Sequence, residues 1–151
     1  MEIKVNSLNL KIKKGSKDDY RFCYNLAKKN MYDLVIKNLG KWNHKAYLKS
    51  FNETENYLVF EKSRRVAFFR IKKEDKNLSL EDIQVSSKLQ GKGIGLELMK
   101  IIEKIADQKR INTITLTVFK ENKAKNLYKR LGFKKVKSKK GSRILMEKKL
   151  N

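Results

Sequence analysis

The chain has 151 residues, 40% of them hydrophobic, and a formal charge of +22 at pH 7. That length suits one domain, residues 1–151, around one core. One cysteine excludes an internal disulfide framework, and the lone histidine, His44, makes a Ser-His-Asp site or a multi-histidine zinc site hard to build.

Leu8 to Lys13 alternates strictly between apolar and polar residues and predicts a half-buried strand. After the turn at Gly15-Ser16, Ser16 or Asp18 can cap a helix whose apolar residues Tyr20, Cys23, Tyr24 and Ala27 recur at helical spacing. Met31 to Leu39 and Lys45 to Phe51 read as two shorter helices. Tyr57 to Glu61, Arg65 to Ile71 and Leu78 to Val85 read as strands. Ile94 to Lys109 is the clearest helix, with Ile94, Leu98, Ile101, Ile102 and Ile105 on one face. Thr113 to Val118, β-branched apart from Leu116, predicts a buried strand. Lys123 to Leu131 predicts a helix that Gly132 ends, and Phe133 to Val136 with Arg143 to Lys148 a final hairpin. A strand–helix–strand unit implies one parallel pairing and the hairpins imply antiparallel ones. The expectation is an α/β (α+β) fold, a mixed and mostly antiparallel sheet of about seven strands flanked by helices.

Met1-Glu2-Ile3-Lys4 lacks the apolar run of a signal peptide, and no stretch approaches the roughly 20 apolar residues of a membrane span. A cytoplasmic protein with no membrane partner is expected. The charge has two readings. A polyanionic partner such as nucleic acid would explain it. So would composition: lysine far outnumbers arginine, asparagine and isoleucine are abundant, and proline is absent. Because phosphate and base readers favour arginine and the lysines are scattered, the compositional reading is preferred and no nucleic-acid partner is expected.

The most informative stretch is Gln90-Gly91-Lys92-Gly93-Ile94-Gly95, between a strand and a long helix. Glycines at alternate positions bare the backbone N–H groups, and the helix N-terminus adds partial positive charge, so an anion such as a phosphate fits here. The spacing matches neither a dinucleotide G-x-G-x-x-G fingerprint nor a Gly-Lys-Ser/Thr P-loop. It does match [Q/R]-x-x-G-x-[G/A].

With that motif the chain resembles the GNAT-type N-acetyltransferases. Leu80 to Val85 is similar to the family's fourth strand. Asn122 to Phe133 resembles its N-x-x-A-x-x-L-Y-x-x-x-G-F signature, and the element order agrees over nearly the whole chain. The resemblance implies that acetyl-CoA is the cosubstrate, held in a cleft between Leu78–Val85 and Thr113–Val118. Its pantetheine arm would pair with the strand edge at Ile83 to Val85. Its pyrophosphate would accept N–H bonds from Gln90, Gly91, Lys92, Gly93, Ile94, Gly95 and Leu96, with Lys88 and Lys92 either adding charge or being ordinary solvated lysines.

Acetyl transfer to an amine needs a proton acceptor, donors for the developing oxyanion and an acid for the leaving thiolate. By resemblance Tyr128 is the acid; the alternative is a core tyrosine packed with Ala124, Leu127 and Leu131. Asn122 would bind the CoA arm, or cap the helix that follows. Glu81 is the favoured base, with Asp82 or an ordered water next. Adjacent strand residues point to opposite faces unless a bulge intervenes, and Ser79 stands at one common family position for the base. Cys23 reads as a core residue and His44 as a surface one.

In this family the acceptor is usually chosen by segments corresponding to Met31–Phe51 and Lys137–Arg143. Tyr32, Trp42 and Tyr47 can wall its pocket. Carboxylates are few there, which points away from a polycation and towards a small amine, an amino acid derivative or a peptide or protein amine. The protein is expected to be a monomer or a homodimer. Two other functions stay open: a CoA-binding regulatory module without catalysis, and a basic nucleic-acid-binding protein.

Overall fold

A computed structural model describes all 151 residues. In chain order the elements are β1 (Glu2–Val5), β2 (Leu8–Lys14), α1 (Tyr20–Leu39), α2 (His44–Glu53), β3 (Glu55–Glu61), β4 (Arg64–Glu74), β5 (Asn77–Val85), α3 (Ile94–Gln108), β6 (Thr113–Phe119), α4 (Ala124–Arg130), β7 (Lys134–Lys139) and β8 (Arg143–Lys149). The strands form one sheet in the order β1-β2-β3-β4-β5-β6-β8-β7. Every pairing is antiparallel except β5 with β6, which the α3 crossover joins in parallel.

The sheet has eight strands rather than about seven. The additional strand is β1, four residues that add to the edge beside β2, with Glu2 opposite Lys11 and Val5 opposite Leu8. Residues 20–39 form one helix of 20 residues instead of two shorter ones. No glycine or proline interrupts it, and Asn30 in its middle is docked onto the sheet: its Nδ2 donates to Gln84 Oε1 at 3.1 Å and to the Val85 carbonyl at 3.2 Å.

Helices cover both faces, so β4 is buried without a break from Val66 to Ile71. On one face α1 and α2 pack Cys23, Leu26, Ala27 and Phe51 onto Leu58 and Phe68. On the other, α3 and α4 meet the larger core, where Leu98, Met99, Ile102, Ile114 and Met146 are completely enclosed. At about 25 cal/mol per Å² of apolar surface removed from water, this second face carries most of the fold's hydrophobic stabilisation. No helix is long and apolar enough to cross a membrane.

Candidate active site

The sheet opens between β5 and β6. They pair only from Asn77–Thr113 to Leu80–Leu116, and beyond that the strands separate. The cause lies one residue further along β5. Leu80 pairs with Ile71 and Asp82 with Arg70, so Glu81 has no partner on β4 and forms a bulge. A bulge bends its strand and strengthens the local twist, which turns Ile83 to Val85 away from β6 while they stay paired with β4. The gap is the centre of a cavity of about 600 Å³ that draws its walls from both faces of the sheet. Tyr128 reaches it from α4, and Trp42 and Tyr47 from the α1–α2 side.

At the end of β5 a single 3-10 turn, Ser87–Leu89, leads into the glycine loop. Gly91 and Gly93 have φ of +78° and +84°, which disfavour any side chain, and a Cβ on Gly91 would meet nothing within 4 Å. The first backbone bond of α3 runs from Glu97 N–H to the Gly93 carbonyl, so no carbonyl of the chain receives the N–H groups of Gly91 to Leu96. Six free donors at a helix N-terminus make a site for an anion. Ile94 contributes backbone alone, since its side chain is buried in the core. Gln90 fixes the loop by donating from Nε2 to the Val85 carbonyl at 2.9 Å, and Lys88 and Lys92 are exposed beside it.

Tyr128 is 7% exposed. It is held by the end of its own helix: Gly132, at φ +97°, lets the chain reverse so that Phe133 N–H bonds the Tyr128 carbonyl at 3.0 Å. The Phe133 ring then meets the Tyr128 ring edge-on at 6.0 Å. Burial, with a smaller contribution from the Asp82 charge, pushes the phenol up to about 12, so it keeps its proton throughout the neutral range. Asn122 lines the same cavity. Its Oδ1 accepts from Ala124 N–H at 3.0 Å while its Nδ2 has no partner in the chain, so capping leaves the amide nitrogen uncommitted. Asn122 stands two residues before Ala124 where the signature asks for three. The signature position belongs to Glu121, whose carboxylate turns away to Lys37 at 2.7 Å and Asn38 at 2.9 Å.

The two candidate carboxylates differ sharply. Glu81, on the bulge, is exposed and accepts from Ser79 Oγ at 2.6 Å. Asp82 has a side chain only 10% exposed and faces the α1–α2 side. Its Oδ2 accepts from the Tyr47 hydroxyl at 2.8 Å and pairs with Arg70 Nε at 3.4 Å, and its Oδ1 accepts from Gln84 Nε2 at 2.9 Å. Arg70 is buried, donates also to Ser50 and Thr54, and lies 4.7 Å from the Tyr47 ring centroid. Burial first, then Asp82, raises the Tyr47 hydroxyl far above its ordinary value, so it acts here as a donor.

The remaining wall is apolar and comes from Met31, Leu34, Val35 and Leu39 of α1 with Trp42 after it. Trp42 and Tyr47 stack at 6.3 Å, whereas Tyr32 lies outside the cavity, tilted against Trp42 and 41% exposed. Arg143, the first residue of β8, closes the far side. Cys23 is fully buried, with its thiol pushed up to about 12 by burial, and His44 is exposed at the start of α2. No group of three His, Cys, Asp or Glu side chains is placed to hold a metal ion. Sequence patterning singles out neither Arg70 nor Arg143, although an arginine inside the apolar run from Val66 to Ile71 is a visible signal.

The fold that carries this site has counterparts among known proteins. The model of the acetyltransferase (GNAT) domain matches residues 34–145, and the chain belongs to that family. Among solved structures the fold is similar to that of the PaiA N-acetyltransferase of Thermoplasma acidophilum in complex with coenzyme A, with 23% identity, TM-score 0.72, and 93% of this chain and 98% of that one covered. It is similar to the ribosomal-protein-S18-alanine N-acetyltransferase of Escherichia coli at 18% identity and TM-score 0.75, covering 94% of each chain. It is likewise similar to a GNAT family acetyltransferase of Elizabethkingia anophelis with acetyl-CoA bound, at 17% identity and TM-score 0.74, covering 93% of this chain and 98% of that one.

Proposed function

We propose that the protein is an acetyl-CoA-dependent N-acetyltransferase that moves the acetyl group directly to a primary amine while both substrates are bound. The observation that carries this reading is the gap opened by the Glu81 bulge, with free N–H donors at one end and a buried tyrosine beside it. The six donors from Gly91 to Leu96 suit a pyrophosphate, the freed β5 edge at Ile83 to Val85 suits the amides of a pantetheine arm, and Asn122 Nδ2 is free to join them. The acetyl-CoA-bound and coenzyme A-bound relatives of the same fold agree with this choice of cosubstrate.

In the reaction the neutral amine nitrogen attacks the thioester carbonyl carbon. A carbon–nitrogen bond forms, the carbon–sulfur bond breaks, and the electron pair leaves on sulfur. The Tyr128 hydroxyl, which keeps its proton at neutral pH, supplies that proton to the departing thiolate. The amine's surplus proton passes to a carboxylate of β5, directly or through water. Glu81 is the accessible one, with an open path to solvent. Asp82 lies deeper and, held by three partners, is suited to orienting the site.

Thermal denaturation with acetyl-CoA, CoA, ATP and NAD tests this first. Acetyl-CoA at ~100 times its dissociation constant should add about 2.7 kcal/mol, as should CoA under the same condition, whereas ATP and NAD should add little. Equal shifts with all four would mean that the lysines collect polyanions without a cofactor site, and would sink the reading.

A further inference from the structure

We propose that the acceptor is a small zwitterion, a free amino acid with an apolar side chain, whose amine faces the β5 carboxylates and whose carboxylate faces Arg143. This rests on the acetyltransferase reading and names its second substrate.

In a protein of charge +22, the charged side chains around this cavity are only Arg70, Glu81, Asp82 and Arg143. Arg70 and Asp82 neutralise each other in a buried pair. That leaves one negative group, Glu81 on β5, and one positive group, Arg143 on β8, so the lining has no net charge. A polycation would find too few carboxylates and a polyanion only one free cation. A molecule with one charge of each sign satisfies both walls.

Arg143 is built to receive the negative end. It is half-buried, and its Nε donates to the Lys140 carbonyl at 2.8 Å, which fixes the plane of the guanidinium. It forms no ion pair within the chain; Glu121, two residues past Phe119, its partner on β6, is itself held by Lys37 and Asn38. A fixed guanidinium with its terminal nitrogens uncommitted matches a carboxylate through two parallel bonds. The β7–β8 turn at Gly141 packs directly on Asn38 and Leu39 at the end of α1, so Arg143 enters the cavity beside its apolar wall. Met31, Leu34, Val35 and Trp42 in that wall are suited to an aliphatic or aromatic side chain lying between the two charges.

The test compares CoA release from acetyl-CoA with L-leucine, L-methionine and L-phenylalanine against their amides and their decarboxylated amines. The free acids should show kcat/KM higher by about tenfold or more, the worth of one charge-assisted pair. Arg143→Gln should erase that preference and leave the acetyl-CoA KM unchanged, with Arg143→Lys, which keeps the charge without the fork, falling between. Equal rates for acids and amides in the unaltered enzyme would overturn the proposal, and so would an Arg143→Gln variant whose loss falls on the acetyl-CoA KM. If no amine is turned over, saturation-transfer NMR of L-phenylalanine with the CoA-loaded protein decides: Arg143-dependent binding supports the proposal and no binding overturns it. The acetyl-CoA melting shift separates the two levels. A protein that gains stability with acetyl-CoA but ignores the acceptor's carboxylate refutes only the acceptor, whereas one with no acetyl-CoA gain refutes the acetyltransferase reading itself.

Discussion

The two ends of the cavity are built from different materials. The end after β5 is main chain: six N–H groups from Gly91 to Leu96, presented by a turn with two glycines at positive φ. The end under α1 is side chain: Trp42, Tyr47, Asp82, Arg70 and Arg143, drawn from five separate segments. Main-chain recognition depends on the turn and tolerates sequence change around it, so it can serve a ligand shared by many proteins. Side-chain recognition changes with each substitution and can set an individual specificity.

The contrast can be broken by substitutions confined to one end. The largest expected effect belongs to Asp82→Asn. It strips the counter-charge from Arg70, whose side chain is 4% exposed, and should destabilise the fold by about 3 kcal/mol, measured by urea denaturation. A loss under ~1 kcal/mol would mean that Ser50 and Thr54 suffice to hold the guanidinium. Tyr128→Phe comes next. It should lower kcat by about 100-fold while acetyl-CoA binding stays within a factor of two, and an unchanged kcat would remove Tyr128 from the chemistry. The same variant has a pH signature. A phenol raised from 10.0 to about 12 favours the fold below pH 10, and that contribution is lost as pH climbs from 10 towards 12. The variant should therefore lose less stability than the parent across that window. The smallest effect is Gly93→Ala. A side chain at φ +84° is strained by roughly 1 kcal/mol, so acetyl-CoA affinity should fall severalfold with the amine KM untouched. A change in the amine KM instead would mean that the two ends are coupled.

The same division explains how much of the site is legible in the sequence. The glycine loop was legible because positive φ and close approach leave a mark in residue type, and the A-x-x-L-Y-x-x-x-G-F run because its glycine cap and Phe133 hold Tyr128 by local contacts. Helix α3 was legible from its apolar period. The bulge at Glu81 was not: a register slip against Arg70 and Ile71 depends on the partner strand and no residue type announces it. Helix α1 read as two pieces because Lys28, Lys29 and Asn30 interrupt its apolar pattern, yet Asn30 is the residue that ties it to β5. Strand β1, at four residues, is too short for its alternation to stand out. Arg143 and Arg70 gain meaning only once distant segments meet.

One feature at the margin of the sheet bears on how the molecule behaves in company. Every residue of β7, the last strand in the order, is exposed, and Lys134, Lys135, Lys137 and Lys139 lie along it. The opposite margin is β1, only four residues long. An open strand offers unpaired donors and acceptors to any other chain, and short length and lysine are two established ways of refusing that offer. Part of the protein's large positive charge thus lies along an open sheet edge, where a second copy joining edge to edge would bring lysines against lysines.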